Sequence, residues 1–135
     1  MTEHRQAILN FINKNNLPIC AATIFNKMKS TINLATIYRA LQFLEENKYI
    51  EGFTVLCQNE GTVRYYVKNK PHLHFLHCES CHKFVSMPQC TLMPLIEKMQ
   101  NENGYLIKTH TLYFTGLCQK CNNKLFKGNN YDTLH

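Results

Sequence analysis

The sequence of this 135-residue chain predicts an α+β fold, with an N-terminal winged helix and a small C-terminal α/β module of order β-β-α-β. Three observations predict it. Apolar residues recur at helical spacing in three early segments, and strand-like segments follow them. The stretch "KNKP" then separates two halves of different texture. We therefore expect one domain at residues 1–68, a hinge at 69–71 and a second domain at 72–135.

The first domain begins with three short helices. The first is predicted over residues 3–13 and ends at "NNLP", where the apolar pattern breaks. The second is predicted over Ala21–Met28, and the third lies in "NLATIYRALQFLEENKYI" with Asn33 as its N-cap. The apolar stripe of the third helix comprises Leu34, Ile37, Leu41 and Leu44. Three such helices in succession predict a variant of the helix-turn-helix.

Beyond "ENKY" the pattern changes to strands. The segments "YIEGFTVLC" and "TVRYYVK" flank the turn-rich "QNEG", which predicts a wing hairpin beside the third helix. In the second domain we expect strands at "HFLHC" and "KFVSM", a helix at "TLMPLIEKMQNEN" and a strand at "YLIKTHTLYF". So small a module leaves apolar strand edges uncovered, which favours a symmetric homodimer.

Composition narrows the possible functions. No apolar run approaches the roughly 18 residues needed to cross a bilayer, and "MTEHRQAILNFINKNN" is neither a secretory nor a transit signal. We therefore expect a cytoplasmic protein with no membrane partner. In that reducing compartment the seven cysteines are expected to be metal ligands or redox centres rather than disulfides. The net charge of +6 suits a polyanionic partner such as nucleic acid.

The strongest motif is a pair of CxxC sequences, formed by Cys78 with Cys81 and by Cys118 with Cys121. Two such pairs can supply four thiolates in a tetrahedron, which Zn²⁺ accepts readily. We therefore expect one structural zinc ion per subunit. The alternative is a cytosolic dithiol oxidoreductase, but redox chemistry would place one CxxC at a helix start in a thioredoxin-like setting, and neither pair has that setting.

The second motif is the histidine cluster in "HLHFLHC". Residues two apart in a strand face the same way, so His72 and His74 can share one ion, whereas His77 faces elsewhere. A site with two histidines needs further ligands. The candidates are Glu51, Cys57, Cys90 and His110. The alternative is a surface histidine cluster that binds no metal.

The third motif is "NLATIYRALQFL". The first turns of a recognition helix face base edges, which here would bring to double-stranded DNA the residues Ala35, Thr36, Tyr38, Arg39 and Gln42. Nearby cations expected to contact phosphates are Lys14, Lys27 and Lys29. The alternative is an ordinary amphipathic helix with a solvated Arg39.

Taken in order, "LATIYRAL", "HLHFLHCESC" and "HTLYFTGLCQKC" resemble the ferric uptake regulator family of bacterial metal-dependent repressors. The resemblance implies a winged-helix DNA-binding domain hinged to a dimerisation domain, with metal closing the dimer into its DNA-binding shape. It also implies that the four CxxC cysteines hold structural zinc and that His72 and His74 lie in the segment that binds a regulatory metal. Neither a small-molecule substrate nor enzyme activity is implied.

Departures from the family pattern bear on the regulatory metal. A histidine found in many iron- and peroxide-sensing members falls near Pro18, and "FLHC" is more similar to the zinc uptake regulator subgroup. In that subgroup ligands fall at the start of the wing, here Glu51, and in the wing hairpin, here Cys57. A further family site at His110 would be rebuilt with Cys90. Thiolate and imidazole favour Zn²⁺, so we expect a zinc-sensing repressor, with Fe²⁺ (iron or peroxide sensing) or Mn²⁺ as the alternatives.

Overall fold

The computed structural model describes residues 1–29, 31–57, 61–87 and 90–126, without the side chains of Cys57 and Phe126. The chain divides into two compact units, one ending at His72 and the next beginning at Leu73. Both units combine helices with a three-stranded sheet, so the predicted α+β class is confirmed. Within the described residues, no helix is long and apolar enough to cross a membrane.

The first unit opens with helices α1 (Glu3–Lys14), α2 (Ala21–Met28) and α3 (Leu34–Glu46). The predicted cap of α3 is confirmed, since Asn33 Oδ1 accepts a hydrogen bond of 2.9 Å from the backbone N–H of Thr36. The predicted stripe is correct at its three inner positions but wrong at Leu34. That residue lies in the first turn of α3, is 40% exposed and is not part of the buried cluster of this unit.

The sheet of this unit contains β1 (Ile19–Cys20), β2 (Ile50–Cys57) and β3 (Gly61–Lys68) in the order β1-β3-β2, all antiparallel. The hairpin of β2 and β3 is the one that the sequence predicts. Most of its "QNEG" turn, residues 58–60, lies outside the described residues. Strand β1 was not predicted, because two residues are too few to show a period.

The second unit contains β4 (His74–Cys78), β5 (Phe84–Met87), α4 (Met93–Asn103), β6 (Tyr113–Gly116) and α5 (Gln119–Phe126). Strand β4 lies in the middle of the sheet, antiparallel to β5 and parallel to β6. The predicted order β-β-α-β is confirmed, but α5 was missed.

The last predicted strand is wrong in its extent. The segment "YLIKTHTLYF" was expected to be extended throughout, whereas β6 begins only at Tyr113. The pairing with β4 joins Phe75 to Tyr113 and ends with Cys78 opposite Gly116. Residues before Tyr113 have no partner in this ladder, and strand structure needs the hydrogen bonds of a neighbour. His110 therefore lies in the irregular segment that precedes β6 and not within a strand.

Candidate metal sites

The second unit brings the two CxxC pairs together at one end of β4. Cys78 is the last residue of that strand and Cys81 follows in a turn. Cys118 immediately precedes α5 and Cys121 lies in its first turn, so the second pair does lie at a helix start, contrary to the expectation from the sequence. The four sulfur atoms all lie within 4.8 Å of one another. Two distant segments thus place four soft ligands in one group, as the spacing of the motif predicts.

The separation of the sulfurs fits a metal ion. Cys81 Sγ and Cys118 Sγ lie 3.8 Å apart. A tetrahedral zinc ion with Zn–S bonds of about 2.3 Å also spaces two sulfurs about 3.8 Å apart. All six cysteines whose side chains are described are free thiols. The thiols are therefore arranged as ligands rather than as disulfide partners.

Backbone N–H groups stabilise the negatively charged form of Cys78. Burial raises the pKa of the Cys78 thiol, but hydrogen bonds from backbone N–H groups, first those of Cys118 and Cys81, outweigh it and hold that pKa at about 6. Those two N–H groups lie 3.4 and 3.5 Å from Cys78 Sγ. The lowered pKa favours the thiolate form of Cys78, which is the form in which cysteine binds a metal.

The pKa of Cys121 indicates that the four-cysteine cluster would be stabilised by a bound cation. A hydrogen bond with Ser80 lowers the pKa of Cys121, but its contacts with the other cysteine thiols, Cys118 first, raise it to about 11. Four adjacent thiolates repel one another unless a positive ion neutralises them. The donor set and its charge therefore fit Zn²⁺ at a closed structural site.

A second group of ligands lies at the other end of β4. It consists of His72, His74, Cys90 and His110, whose ligand atoms also lie within 4.8 Å of one another. His74 is buried, and Cys90 and His110 are half-buried. The sequence named all four as candidates, and the fold brings them together from three separate segments.

The distances within this group match a tetrahedral ion. His74 Nε2 lies 3.2 Å from Cys90 Sγ and 3.2 Å from His110 Nε2, and the last two atoms are 3.6 Å apart. A tetrahedral zinc ion with Zn–N bonds of about 2.0 Å and Zn–S bonds of about 2.3 Å spaces two nitrogens about 3.3 Å apart, and a nitrogen and a sulfur about 3.5 Å apart. The observed separations agree within about 0.4 Å.

The orientation of the His74 ring is fixed by a hydrogen bond at its other nitrogen, Nδ1. Its Nδ1–H donates a hydrogen bond of 3.0 Å to the backbone carbonyl of Leu112, since a carbonyl can only accept. The Nε2 atom, which then carries the lone pair, faces Cys90 and His110. Such a hydrogen bond to the second ring nitrogen is the usual support of a metal-binding histidine. The sequence carries no signal for it, because every residue has a carbonyl.

The other histidine of the motif and the two remaining candidate metal ligands lie outside this group or outside the described side chains. His77 is outside both groups, and its Nδ1 lies 3.0 Å from Thr115 Oγ1, in agreement with its odd position on the strand. Burial, followed by the charge of His82, lowers the pKa of His77. Glu51 is exposed on β2 and outside the group, so its role stays a prediction. The side chain of Cys57 lies outside the described part of the chain.

The face of α3 opposite its core stripe carries the residues predicted to read DNA. Tyr38 is 54% exposed. Arg39 is exposed as well, and its Nη2 donates a hydrogen bond of 3.4 Å to Thr36 Oγ1. The other members of this face, all exposed except the half-buried Thr36, are Ala35, Thr36 and Gln42. The three predicted phosphate contacts, also exposed, are Lys14, Lys27 and Lys29.

Three helices and a hairpin in the first unit, with seven of the eight grouped metal ligands in the second, are typical of a metal-responsive transcriptional regulator. The chain belongs to the ferric uptake regulator family, whose model matches residues 1–115. Members of this family are regulators and not enzymes, so the expected lack of enzyme activity is confirmed and the oxidoreductase alternative is wrong.

Individual relatives are similar over most of their length. The ferric uptake regulation protein of Campylobacter upsaliensis is 26% identical over 132 residues, which cover 91% of this chain and 80% of the relative. That of Bacillus subtilis is 29% identical over 131 residues, covering 92% and 86%. Both names refer to iron, and neither identity is high enough to carry a choice of metal to this chain.

Solved structures show the same fold. The ferric uptake regulator from Francisella tularensis with iron has a TM-score of 0.69 at 23% identity, covering 90% of this chain and 93% of that one. A zinc uptake regulator complexed with zinc and DNA has a TM-score of 0.59 at 17% identity, covering 91% and 83%. These similarities establish the architecture, and the choice of metal depends on the donor atoms of this chain.

Proposed function

We propose that this protein is a homodimeric, zinc-responsive repressor of transcription that acts in the cytoplasm. The observation that carries the choice of metal is the convergence of His74, Cys90 and His110, with His72 as a fourth ligand. None of these ligands is a carboxylate. Three imidazoles and one thiolate suit zinc better than iron or manganese, which prefer more oxygen.

The group of His72, His74, Cys90 and His110 is the regulatory site of this proposal. His74 lies on β4, Cys90 precedes α4 and His110 precedes β6, so binding one ion requires three segments to hold one arrangement. A bound zinc ion would supply the bonds that hold these ligands together. Zinc binding thus increases the population of the state in which the ligands converge. If that state is the one that binds DNA, zinc also increases the affinity for DNA.

The first unit supports DNA binding through its shape and charge. We infer that it is a winged-helix domain, in which α3 is the recognition helix and the β2–β3 hairpin is the wing. The exposed residues of α3 include an arginine and a tyrosine, while Lys14, Lys27 and Lys29 supply charge for phosphates. A net charge of +6 favours the approach to a polyanion.

Apolar surface in the second unit supports a homodimer. Leu76 faces Val85 on one side and Phe114 on the other, in register across the three strands, and all three are exposed. Helix α4 adds three more exposed apolar residues, namely Met93, Leu95 and Met99. Apolar surface of this kind is typical of an interface. A dimer would present two recognition helices to a pseudo-palindromic operator.

Metal titration tests the proposal. Chelator-treated protein is first assayed for residual zinc, and it then selects a duplex from a random pool in the presence of Zn²⁺. Binding to that duplex is measured against buffered free Zn²⁺, Fe²⁺ and Mn²⁺. We expect one retained zinc ion per chain and activation at the lowest free concentration by Zn²⁺. Activation by Fe²⁺ or Mn²⁺ instead would overturn the choice of metal, and equal binding without added metal would overturn regulation.

Replacing Arg39 with alanine is expected to weaken binding to the selected duplex by about 1–3 kcal/mol, the cost of a lost base contact. The zinc content should not change, because α3 is remote in sequence from all eight grouped ligands. Electrophoretic mobility shift and metal analysis measure the two effects. As a matched control, Lys27→Ala should weaken selected and scrambled duplexes alike. Retention of full sequence preference by Arg39→Ala would contradict the assigned role.

A further inference from the structure

Arg64 of the hairpin has a side chain that is 43% exposed, yet it is paired with another side chain of the first unit. Arg64 Nε donates a hydrogen bond of 3.3 Å to Glu45 Oε1, and its Nη2 donates to Glu45 Oε2, so the two side chains form a bidentate ion pair. Its remaining Nη1 donates a bond of 2.9 Å to Thr54 Oγ1. All three guanidinium nitrogens are thus engaged, and Arg64 is committed to a contact inside the first unit.

The backbone beneath this pair leaves room for it. Thr54 lies opposite Arg64 in the hairpin register, and Gly52 lies two residues away on the same face. A Cβ atom at Gly52 would lie 2.7 Å from Glu45 Oε1 and 3.0 Å from Arg64 Nη2. Glycine therefore allows both charged side chains to lie flat on the hairpin.

The pair joins the recognition helix to the wing. Glu45 is in the last turn of α3, whereas Arg64 is on β3. Two turns earlier on the same helix stands Tyr38. Burial raises the pKa of Tyr66, which also lies on β3, and the charge of Glu45 raises it further, whereas the charge of Arg64 lowers it and that of Tyr38 raises it. The ion pair therefore connects the C-terminal end of α3 to the hairpin.

We propose that the Glu45–Arg64 pair is a positioning device that sets the distance and angle between α3 and the β2–β3 hairpin, so that both elements engage one operator at once. The inference rests on the proposed DNA-binding function. A bidentate pair has fixed geometry, which a single charged contact lacks. Neither residue needs to touch DNA for its loss to reduce sequence-specific binding.

The direction of the affinity change in Glu45→Gln distinguishes a positioning role from a purely electrostatic effect on DNA binding. Glu45→Gln removes a negative charge, which by itself would strengthen the binding of a polyanion. A positioning role instead predicts that affinity for the selected duplex falls. We expect Glu45→Gln to bind the duplex selected by the wild-type protein about tenfold more weakly, comparable to the loss of one base contact. Affinity for a scrambled duplex should stay equal or rise.

Two further variants complete the test. Glu3→Gln removes the same charge from the exposed first turn of α1 and should not weaken binding to the selected duplex. Arg64→Lys keeps the positive charge, but an ammonium group cannot bridge Glu45 and Thr54 as the planar fork does. It should weaken specific binding as Glu45→Gln does. Thermal unfolding of each variant confirms that the protein is folded at the assay temperature.

The outcomes are distinct. Weaker binding to the selected duplex by both pair variants, with scrambled-duplex affinity and Glu3→Gln unaffected, is the expected result. If Glu45→Gln or Arg64→Lys binds the selected duplex as tightly as the wild type, the positioning role is wrong while the proposed function stands. If both duplexes lose affinity equally, the pair only maintains stability and the inference is overturned. A wild-type protein that selects no duplex overturns the proposed function and this inference with it.

Discussion

Replacement of Cys118 with serine is expected to abolish the tight zinc binding that we propose for the four cysteines and to unfold the second unit. A backbone N–H of Cys121 lowers the pKa of Cys118, so the native residue is poised to act as a thiolate, which a serine hydroxyl cannot replace. Structural zinc sites contribute about 10 kcal/mol or more of apparent binding free energy. That exceeds the stability of most small domains. Zinc analysis and circular dichroism measure the loss, and sedimentation reports whether the homodimer survives.

The matched control for this prediction is Cys20→Ser. Cys20 is also a free thiol, but it occupies the N-cap position of α2 in the first unit, and its sulfur lies 3.4 Å from Thr23 Oγ1, outside both ligand groups. It should keep its zinc and its fold. If Cys118→Ser remained a folded dimer with one zinc ion per chain, the four cysteines would not form the structural site.

Replacement of His74 with alanine should abolish the response to zinc while leaving the structural zinc ion in place. His74 Nε2 lies 3.2 Å from both Cys90 Sγ and His110 Nε2, so it is central to the group. Loss of one ligand leaves an incomplete tetrahedron, and we expect zinc affinity at the second site to fall by about 100-fold or more, since even outer-shell changes cost 10- to 100-fold. Competition with a chromophoric chelator measures that affinity, and DNA binding at buffered zinc measures the response.

The neighbouring His77→Ala separates coordination from packing. His77 is 3% exposed and His74 is 4% exposed, and both lie on β4, so their losses cost similar buried surface. Only His74 belongs to the ligand group. His77→Ala should therefore retain zinc-dependent DNA binding at temperatures where it is folded. A zinc response that persisted in His74→Ala would move the regulatory site elsewhere, with Glu51 and Cys57 the first residues to examine.

Local patterns in the sequence predicted most helices and strands. The apolar spacing of Ile37, Leu41 and Leu44 specifies one buried face of a helix, and Asn33 can cap it without help from distant residues. Strand β4 was predicted at its observed limits. Two elements escaped. Strand β1 is too short to show a period, and α5 has a polar sequence whose start is arranged around Cys118 and Cys121.

The two metal-ligand groups differ in how far the sequence could predict them. Each CxxC pair is a local signal, because two cysteines three apart already point toward a shared ion. Cys90 and His110 carry no such signal. They lie 20 residues apart, and only the turn into α4 and the late start of β6 bring them to within 3.6 Å of one another.

The sequence by itself determined most of each helix face, the hairpin and each CxxC pair, because each depends on residues close together in the chain, and the order of the motifs along the chain indicated the family. Only the tertiary structure decided that Cys90 and His110 join His74, that Leu112 orients that histidine, and that Arg64 is held by Glu45. These contacts link residues 16 to 38 positions apart. Whether such residues meet depends on strand register and turn geometry, which the packing of the whole unit sets and no local pattern encodes.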